Sequence, residues 1–247
     1  MKVGGVNLKD LQKKWDEFGE SDPFWSILSS SEKKGGKWQV EGFFGTGVKE
    51  IGEVINYVES LGINVPRKMA LDFGCGVGRL TQALADYFDE VVGIDISPSM
   101  IELANKYNRY GNKCIYYLNT ANDLKLFPDN RFNLIYSNIT LQHMEPRYSK
   151  NYIKEFLRIL APQGIIIFQL PSESTQTLRK LIRHIIPTLL LNFYNKVRYG
   201  GTMEMYGIYK DEVLRLLRDN GGKILEMKKD QYAVKGWISF RYFVTKE

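Results

Sequence analysis

The stretch LDFGCGVGRL, residues 71–80, constrains the fold of this 247-residue chain more than any other. An apolar run leads into Asp72, and Gly74, Gly76 and Gly78 follow at every second position. Glycine permits a tight turn and lets a ligand approach the backbone, and in open α/β sheets such turns join a strand to a helix at the ligand-binding edge. The stretch therefore predicts a ligand site at the carboxyl ends of parallel strands.

The segments around this turn alternate between apolar strands and amphipathic helices. Five strands are predicted from continuous apolar runs: RKMALDFG, EVVGIDIS, CIYYLNT, RFNLIYSNI and GIIIFQLP. Continuous rather than alternating runs are typical of a parallel sheet that helices cover on both faces. The chain ends in KILEMKKD and GWISFRYFVTKE, which predict an antiparallel strand pair. The predicted fold class is α/β, with a doubly wound and mostly parallel sheet.

Three of the predicted helices bear on the site. Apolar residues recur at helical spacing over residues 48–62, which predicts one helix. A second is predicted from the glycine turn to Phe88. A third begins at Pro98, with Ser97 as its N-cap, because serine caps helices and proline favours their first position.

The glycine spacing separates two cofactor classes. Dinucleotide sites use G-x-G-x-x-G, whereas here Arg79 stands in place of the third glycine, and Asp72 suits a cation better than a pyrophosphate. Asp95 ends the next strand, where a carboxylate can accept both hydroxyls of a ribose. Asp123 follows the third strand and can accept a hydrogen bond from an adenine amine. Each feature alone has a plain alternative, namely a turn without a ligand, a helix cap or a solvated loop acid.

The segments LDFGCGVGRL, VVGIDIS, TANDL and FNLIYSNITLQHM resemble, in order and spacing, the class I S-adenosylmethionine-dependent methyltransferases. The resemblance covers roughly residues 48–171 and continues more loosely to the C-terminal strand pair. It implies a Rossmann-like sheet of seven strands, one of them antiparallel. It also implies S-adenosylmethionine as cofactor, S-adenosylhomocysteine as product, and a small-molecule acceptor whose O, N or C atom stays open.

The resemblance implies cofactor-binding residues at the ends of the first four strands: Asp72, Gly74, Gly76, Gly78, Arg79, Asp95, Ile96, Met100, Asn122, Asp123, Leu124 and Asn138. In this set the glycines lie against the methionine and ribose, Asp72 lies near the amino end, and Asp95 holds the ribose hydroxyls. Ile96 and Met100 flank the adenine. Asp123 reads the adenine edge with the backbone of its two neighbours, and Asn138 faces the methionine. Arg79 has an alternative role as a helix residue paired with an acid.

Methyl transfer is an in-line displacement with a neutral thioether as leaving group. The protein must therefore align the reactants and exclude water more than it must supply a nucleophile. A base is needed only if the acceptor holds its proton at neutral pH. His143, after the fourth strand, is the candidate catalytic residue because its ordinary pKa lies near neutrality, and packing at the start of the next helix is the alternative.

Residues 1–47 are rich in aromatic side chains and precede the methyltransferase domain expected over residues 48–247. We predict an N-terminal aromatic cap, with Trp15, Phe18 and Phe43 among its lid candidates. Trp15 or Phe18 would face the sulfonium through a cation–π contact. Packing of these aromatic side chains against the sheet edge is the alternative.

A helical insertion is expected after the fifth strand, over about residues 172–205. Its apolar stripe has basic neighbours, so it suits either a lid or a membrane-surface helix, and we favour the lid. A lid would bring Tyr206 and Tyr209 near the pocket mouth. The stripe over residues 178–193 is also the first candidate for a homodimer contact.

Composition excludes some classes of function. The net charge of +6 is spread along the chain, so it permits an anionic partner without requiring one. Two cysteines without metal-ligand spacing and only two histidines argue against a metal site, and they fit a reducing cytoplasm. The chain has no apolar run of the ~20 residues that a bilayer span needs.

The remaining alternatives are a methyltransferase acting on RNA or protein, a non-catalytic S-adenosylmethionine-binding protein and an NAD-dependent oxidoreductase. The glycine spacing argues against the oxidoreductase. NITL follows the fourth strand where base-amino methyltransferases typically carry a [D/N]-P-P-[Y/F] motif, and the sequence shows no basic run with interleaved aromatics. Nucleic acid is therefore the disfavoured acceptor.

Overall fold

The computed structural model describes residues 7–174, 204–230 and 236–246. Its strands are β1 Met69–Phe73, β2 Glu90–Asp95, β3 Cys114–Leu118, β4 Phe132–Ser137, β5 Leu160–Ser174, β6 Gly222–Lys229 and β7 Trp237–Lys246. They form one seven-stranded sheet in the order β3-β2-β1-β4-β5-β7-β6. The first five strands pair in parallel, and β7 runs antiparallel to both β5 and β6. The predicted fold class and the single antiparallel strand are confirmed.

Helices cover both faces of this sheet. The α-helices of the described residues are α1 Leu8–Ser21, α2 Pro23–Ile27, α3 Val40–Ser60, α4 Arg79–Leu84, α5 Pro98–Tyr107, α6 Pro146–Ile159 and α7 Lys210–Asp219. Successive residues of β1 point to opposite faces, so Ala70 packs in the core with Ile51 of α3 while Leu71 packs in the core with Phe156 of α6. Burial on both faces explains why the strands are continuous apolar runs.

The helix α3 begins eight residues before its predicted start at residue 48. Three glycines in its first half, at 42, 45 and 47, obscure the apolar spacing there. Gly47 has a packing reason, because a Cβ at this position would lie 2.4 Å from the carbonyl oxygen of Arg79. The helix crosses the expected boundary at residue 47, and the division into cap and domain stays a prediction.

Two further predictions concern segments next to the site. The helix α4 ends at Leu84 rather than near Phe88, because the chain turns there to enter β2. Ser97 caps α5 as predicted, since its hydroxyl accepts the Met100 N–H at 3.2 Å.

Most of the expected insertion, residues 175–203, lies outside the described residues, together with its apolar stripe. Within the described part of the chain, no helix has the length and apolar character needed to cross a bilayer.

Candidate active site

The turn after β1 has the backbone that its glycines predict. Gly74, Gly76 and Gly78 have φ angles of 78°, 51° and 84°, in the left-handed region that favours glycine. A Cβ on Gly74 would lie 2.2 Å from the Thr140 side chain, and one on Gly76 would lie 2.5 Å from the Ile27 side chain. The turn therefore excludes side chains for reasons of both backbone conformation and space.

Asp95 lies at the end of β2 and is joined to this turn. Its Oδ2 accepts the Gly76 N–H at 2.9 Å, and its Oδ1 accepts the Ser97 N–H at 2.9 Å. Burial raises the pKa of Asp95 above its ordinary value, against the opposing effect of these two hydrogen bonds. Each oxygen keeps a further lone pair, so the carboxylate can accept hydrogen bonds from a ligand.

A cavity of about 960 Å³, counted with its open mouth, lies against the glycine turn. It brings together nine of the residues that sequence reasoning proposed for the site: Trp15, Gly74, Gly76, Arg79, Asp95, Ile96, Met100, Asn138 and His143. Its roof comes from Leu8 and Leu11 of α1, together with Ile27 of α2. Most of the lining is apolar, with a few convergent polar groups, as in small-molecule sites generally.

The other proposed residues are not among those that line this cavity: Asp72, Gly78, Asn122, Asp123, Leu124, Phe18, Phe43, Tyr206 and Tyr209. Asp72 lies below the turn, where its Oδ2 accepts the Thr81 hydroxyl at 2.7 Å, and burial raises its pKa to about 7. Asp123 is engaged with Lys125, whose Nζ lies 3.1 Å from its Oδ2.

Asn119, directly after β3, lines the cavity, whereas the sequence predicts a site residue at Asp123. Its N–H donates to the Asp95 carbonyl at 2.8 Å, and its Nδ2 donates to the Asp123 carbonyl at 3.1 Å. The amide thus ties the third strand to the end of the second. Its position at the carboxyl end of the predicted strand CIYYLNT was the available signal, but the sequence does not show which of several polar residues faces the edge.

Arg79 is paired with an acid, as its alternative predicted, but the pair is buried rather than on the surface. Arg79 and Glu50 are each 4% exposed, and Nη2 donates to Glu50 Oε2 at 2.9 Å. Glu50 Oε1 accepts the Tyr136 hydroxyl at 2.8 Å and Asn138 Nδ2 at 2.6 Å. Glu50 was missed, although an acid inside the apolar pattern of α3 was a signal, since buried charges require partners.

The N-terminal helix α1 is held against the site by one carboxylate. Asp16 Oδ1 accepts the Ser99 N–H at 2.8 Å and the Ser97 hydroxyl at 3.1 Å, and the Ser99 hydroxyl donates to the Asp16 carbonyl at 3.0 Å. The Ser99 N–H lowers the pKa of Asp16 below its ordinary value. This contact docks α1 on the N-terminus of α5, where a negative charge is favoured, and it places Trp15 at the cavity.

The aromatic residues of the cap divide between the cavity and a small core. The Phe18 ring packs edge-on against Trp15, with centroids 5.6 Å apart. Phe43 is fully buried and stacks on Phe24 at 4.4 Å, so for this residue the packing alternative holds. Of the three aromatic lid candidates, Trp15 alone lines the cavity.

His143 lies in the cavity wall, within a short 3-10 turn over Leu141–His143. Its ring meets Trp15 edge-on, with centroids 5.3 Å apart. Nδ1 lies 2.9 Å from the Glu204 carbonyl oxygen, and Nε2 lies 3.1 Å from Gln142 Nε2. Burial lowers the pKa of His143 to about 4, so the ring is neutral near pH 7.

Tyr206 and Tyr209 belong to the described segment after the expected insertion. The Tyr206 N–H donates to the Gln142 carbonyl at 2.8 Å, and its hydroxyl donates to Glu204 Oε2 at 2.7 Å. This residue thus supports the turn that carries His143 without lining the cavity. Tyr209 is 61% exposed.

Comparison with known proteins gives a family match over the centre of the chain. Residues 71–168 match a family model described as a methyltransferase domain. Phosphoethanolamine N-methyltransferase 1 of Zea mays is 32% identical over 66% of this chain and 34% of its own length. Trans-aconitate 2-methyltransferase of Methylobacterium radiotolerans is 30% identical over 50% of this chain and 45% of its own length. The chain therefore spans less than half the length of either relative.

Among solved structures, magnesium protoporphyrin IX methyltransferase from Synechocystis PCC 6803 with bound SAH superposes with a TM-score of 0.68. The superposition covers 98% of this chain and 100% of that chain, at 18% identity. At this identity, the likeness establishes the fold.

Proposed function

Because residues 71–168 belong to a methyltransferase family and the chain has the class I S-adenosylmethionine-dependent methyltransferase fold, we propose that it transfers a methyl group from S-adenosylmethionine to a small molecule. One observation carries the proposal. The Asp95 carboxylate, fixed by the N–H groups of Gly76 and Ser97, faces the same cavity as Gly74 and Asn138. This arrangement combines a ribose acceptor with a turn that has no side chains to block a ligand.

The residues at the cavity fit S-adenosylmethionine. Asp95 has free lone pairs for ribose hydroxyls, and Ile96 and Met100 supply apolar surface for the adenine. Arg79 Nε is buried and has no hydrogen-bond partner among the described residues, so it can donate to the carboxylate of the methionine part. When bound, the cofactor supplies an electrophilic methyl group on a sulfonium. The proposed roles of Asp72 at the amino end and of Asp123 at the adenine edge remain sequence predictions.

Alignment and exclusion of water are the main tasks left to the chain. The helix α1 closes one side of the cavity with Leu8, Leu11 and Trp15. We propose that the Trp15 ring faces the sulfonium, where a cation–π contact would favour the charged ligand. A closed, apolar site strengthens the polar contacts that remain inside it.

His143 is the residue that we propose for the proton of the acceptor. It lies in the cavity wall, and it is neutral near pH 7. Both ring nitrogens already have neighbours, the Glu204 carbonyl and the Gln142 amide. Proton transfer to the ring therefore requires that one of these hydrogen-bond partners be replaced by the acceptor during turnover. An acceptor atom that carries no proton at neutral pH needs no such exchange.

A small-molecule acceptor is supported by the roof that α1 and α2 place over the cavity. A methyltransferase for RNA or protein is the second candidate, a non-catalytic S-adenosylmethionine-binding protein the third, and an NAD-dependent oxidoreductase the least favoured. Two buried free thiols, Cys75 and Cys114, support a reducing compartment such as the cytoplasm. A membrane-surface role and a homodimer through residues 178–193 stay predictions.

The proposal is tested by methyl-transfer assays with radiolabelled S-adenosylmethionine. The acceptor panel begins with phosphoethanolamine, trans-aconitate and magnesium protoporphyrin IX, the compounds named for the relatives, and includes total RNA and protein extract. Transfer to a small molecule, lowered in His143→Ala at unchanged cofactor affinity, supports the proposal. Cofactor binding without transfer to any acceptor would favour the binding protein.

A further inference from the structure

Three buried polar side chains form a hydrogen-bonded path that ends on His143. Gln169 of β5 accepts the Ile139 N–H on Oε1 at 3.2 Å, and its Nε2 donates to Gln142 Oε1 at 3.2 Å and to the Ser239 hydroxyl at 2.6 Å. Gln142 Nε2 in turn lies 3.1 Å from His143 Nε2. Gln169, Gln142 and Ser239 are each at most 2% exposed, so water cannot replace these contacts without a change in the fold.

The direction of this path is fixed at its first member. The backbone N–H of Ile139 can only donate, so the atom of Gln169 that faces it is the amide oxygen. The NH₂ group of Gln169 therefore donates to Gln142, and the amide oxygen of Gln142 accepts. This leaves the NH₂ group of Gln142 facing His143 Nε2, which must accept.

The other end of the path gives the same answer independently. The Glu204 carbonyl can only accept, so His143 Nδ1 must carry a hydrogen to make the 2.9 Å contact. A neutral imidazole has one N–H, so with the hydrogen on Nδ1 the lone pair lies on Nε2. Both ends therefore require the same tautomer of His143.

We infer that Gln169 and Gln142 are positioning residues that hold His143 as the neutral imidazole with its hydrogen on Nδ1 and its Nε2 lone pair facing the Gln142 amide. Protonation of Nε2 would make the His143 N–H face the N–H of the Gln142 amide, so two donors would meet. If the Gln142 amide reversed, its NH₂ group would face the NH₂ group of Gln169. If Gln169 reversed as well, its NH₂ group would face the Ile139 N–H, which cannot reverse. The path thus resists a charge on His143 from a distance of two side chains.

The charged groups near His143 do not reverse this preference for a neutral ring. Lys14 of α1 disfavours a charged ring, and the Glu204 side chain, which could favour one, lies 4.0 Å from Lys14 Nζ and accepts the Tyr206 hydroxyl. Whether the held tautomer matters for catalysis rests on the proposed function, but the tautomer itself does not.

The tautomer is read directly by ¹⁵N NMR of the imidazole nitrogens. The chain has two histidines, His143 and His184, so His184→Gln assigns the signals of His143. We expect one pyrrole-type Nδ1 and one imine-type Nε2 from about pH 5.5 to about pH 8. A hydrogen on Nε2, or a ring that is charged across this range, would overturn the inference. The measurement requires neither cofactor nor turnover, so its outcome is separate from that of the proposed function.

Two variants distinguish the effect of hydrogen-bond direction on His143 from the effect of side-chain packing. Gln169→Met frees the Gln142 amide to reverse and to accept a hydrogen from Nε2, so the pKa of His143 should rise by about 0.5–1 unit, the equivalent of one hydrogen bond. Gln142→Met removes the donor that favours the neutral ring but supplies no acceptor, so the pKa of His143 should rise by less than in Gln169→Met. Gln163→Met, at an exposed position near the start of β5, is the matched control and should leave the pKa of His143 unchanged. An equal pKa in the Gln169 and Gln142 variants would contradict the directional role, and the wild-type tautomer decides the inference even if either variant fails to fold.

Discussion

The carboxylate of Asp95 accepts the N–H of Gly76 at 2.9 Å, across a separation of 19 residues in the chain. This bond joins the end of β2 to the glycine turn that follows β1. The ribose acceptor and the turn are therefore fixed to each other by the fold, with no ligand needed to assemble them. Such preorganisation lowers the ordering that binding would otherwise require.

Asp95→Ala should weaken binding of S-adenosylhomocysteine by ~1–3 kcal/mol, because charge-assisted hydrogen bonds to the ribose are lost. Calorimetric titration of the product measures this loss. Asp123→Ala is the comparison, since its carboxylate is engaged with Lys125 outside the cavity lining.

An unchanged affinity in Asp95→Ala would remove this residue from the ribose site. An equal loss in Asp123→Ala would instead support the sequence prediction that Asp123 reads the adenine edge.

Glu50→Gln should lower the free energy of unfolding by ~3–5 kcal/mol, because it leaves the buried charge of Arg79 without its partner. Chemical denaturation monitored by fluorescence measures the change. In Glu50→Gln combined with Arg79→Met, both charges are gone while an amide oxygen at position 50 can still accept from Tyr136 and Asn138, and the loss should be smaller than in the single variant. A double variant less stable than the single one would show that the ion pair itself contributes most of the stability.

Asp16→Asn should loosen α1 from α5, because the carboxylate that accepts the Ser99 N–H and the Ser97 hydroxyl is replaced by a weaker acceptor. We expect faster amide exchange over residues 8–21 and faster release of S-adenosylhomocysteine. Glu17→Gln, at the exposed neighbouring position, is the control. Unchanged release with faster exchange would mean that α1 does not limit access to the cavity.

The same contact should weaken in acid. The folded pKa of Asp16 lies below its ordinary value, so its contribution is present above that ordinary value and is lost as the pH falls through the lowered pKa. Exchange over α1 should therefore rise in this acid range in the wild type, and less so in Asp16→Asn.

Asp72→Asn tests the effect of a buried acid on stability. Burial raises the pKa of Asp72 from 3.8 to about 7, so its protonated form favours folding below the ordinary value, and this contribution is lost as the pH rises to about 7. The asparagine stays neutral, so the variant should be more stable than the wild type at pH 8 by ~1–4 kcal/mol, and equal to it near pH 4. Parallel stability curves would show that Asp72 does not titrate in this range.

The strands and the glycine turn could be predicted because burial on both faces and left-handed φ angles leave direct marks on the sequence. Continuous apolar runs gave the parallel sheet, and the triplet at 74, 76 and 78 gave the turn. The start of α3 could not be predicted from spacing, because Gly47 is set by a contact with the distant Arg79 backbone. The conformation of a segment can be predicted from its sequence where the residues of that segment alone determine it.

Side-chain partners that are distant in the chain could not be predicted. Glu50 and Asn138 meet across 88 residues, and Gln169 and Ser239 across 70. Neither spacing nor composition indicates such pairs, since only the packed sheet brings them together. For the same reason the sequence did not indicate Asn119, which the structure places in the cavity wall. The adenine contact of Asp123 stays a prediction.

The proposed function requires that the cavity beside Asp95 bind S-adenosylmethionine. Isothermal calorimetry on one purified sample, with S-adenosylmethionine, S-adenosylhomocysteine and NADH titrated in turn, tests it most directly. We expect micromolar binding of the first two and none of NADH. Binding of NADH alone would contradict the proposed function, because it would assign the glycine turn to a dinucleotide.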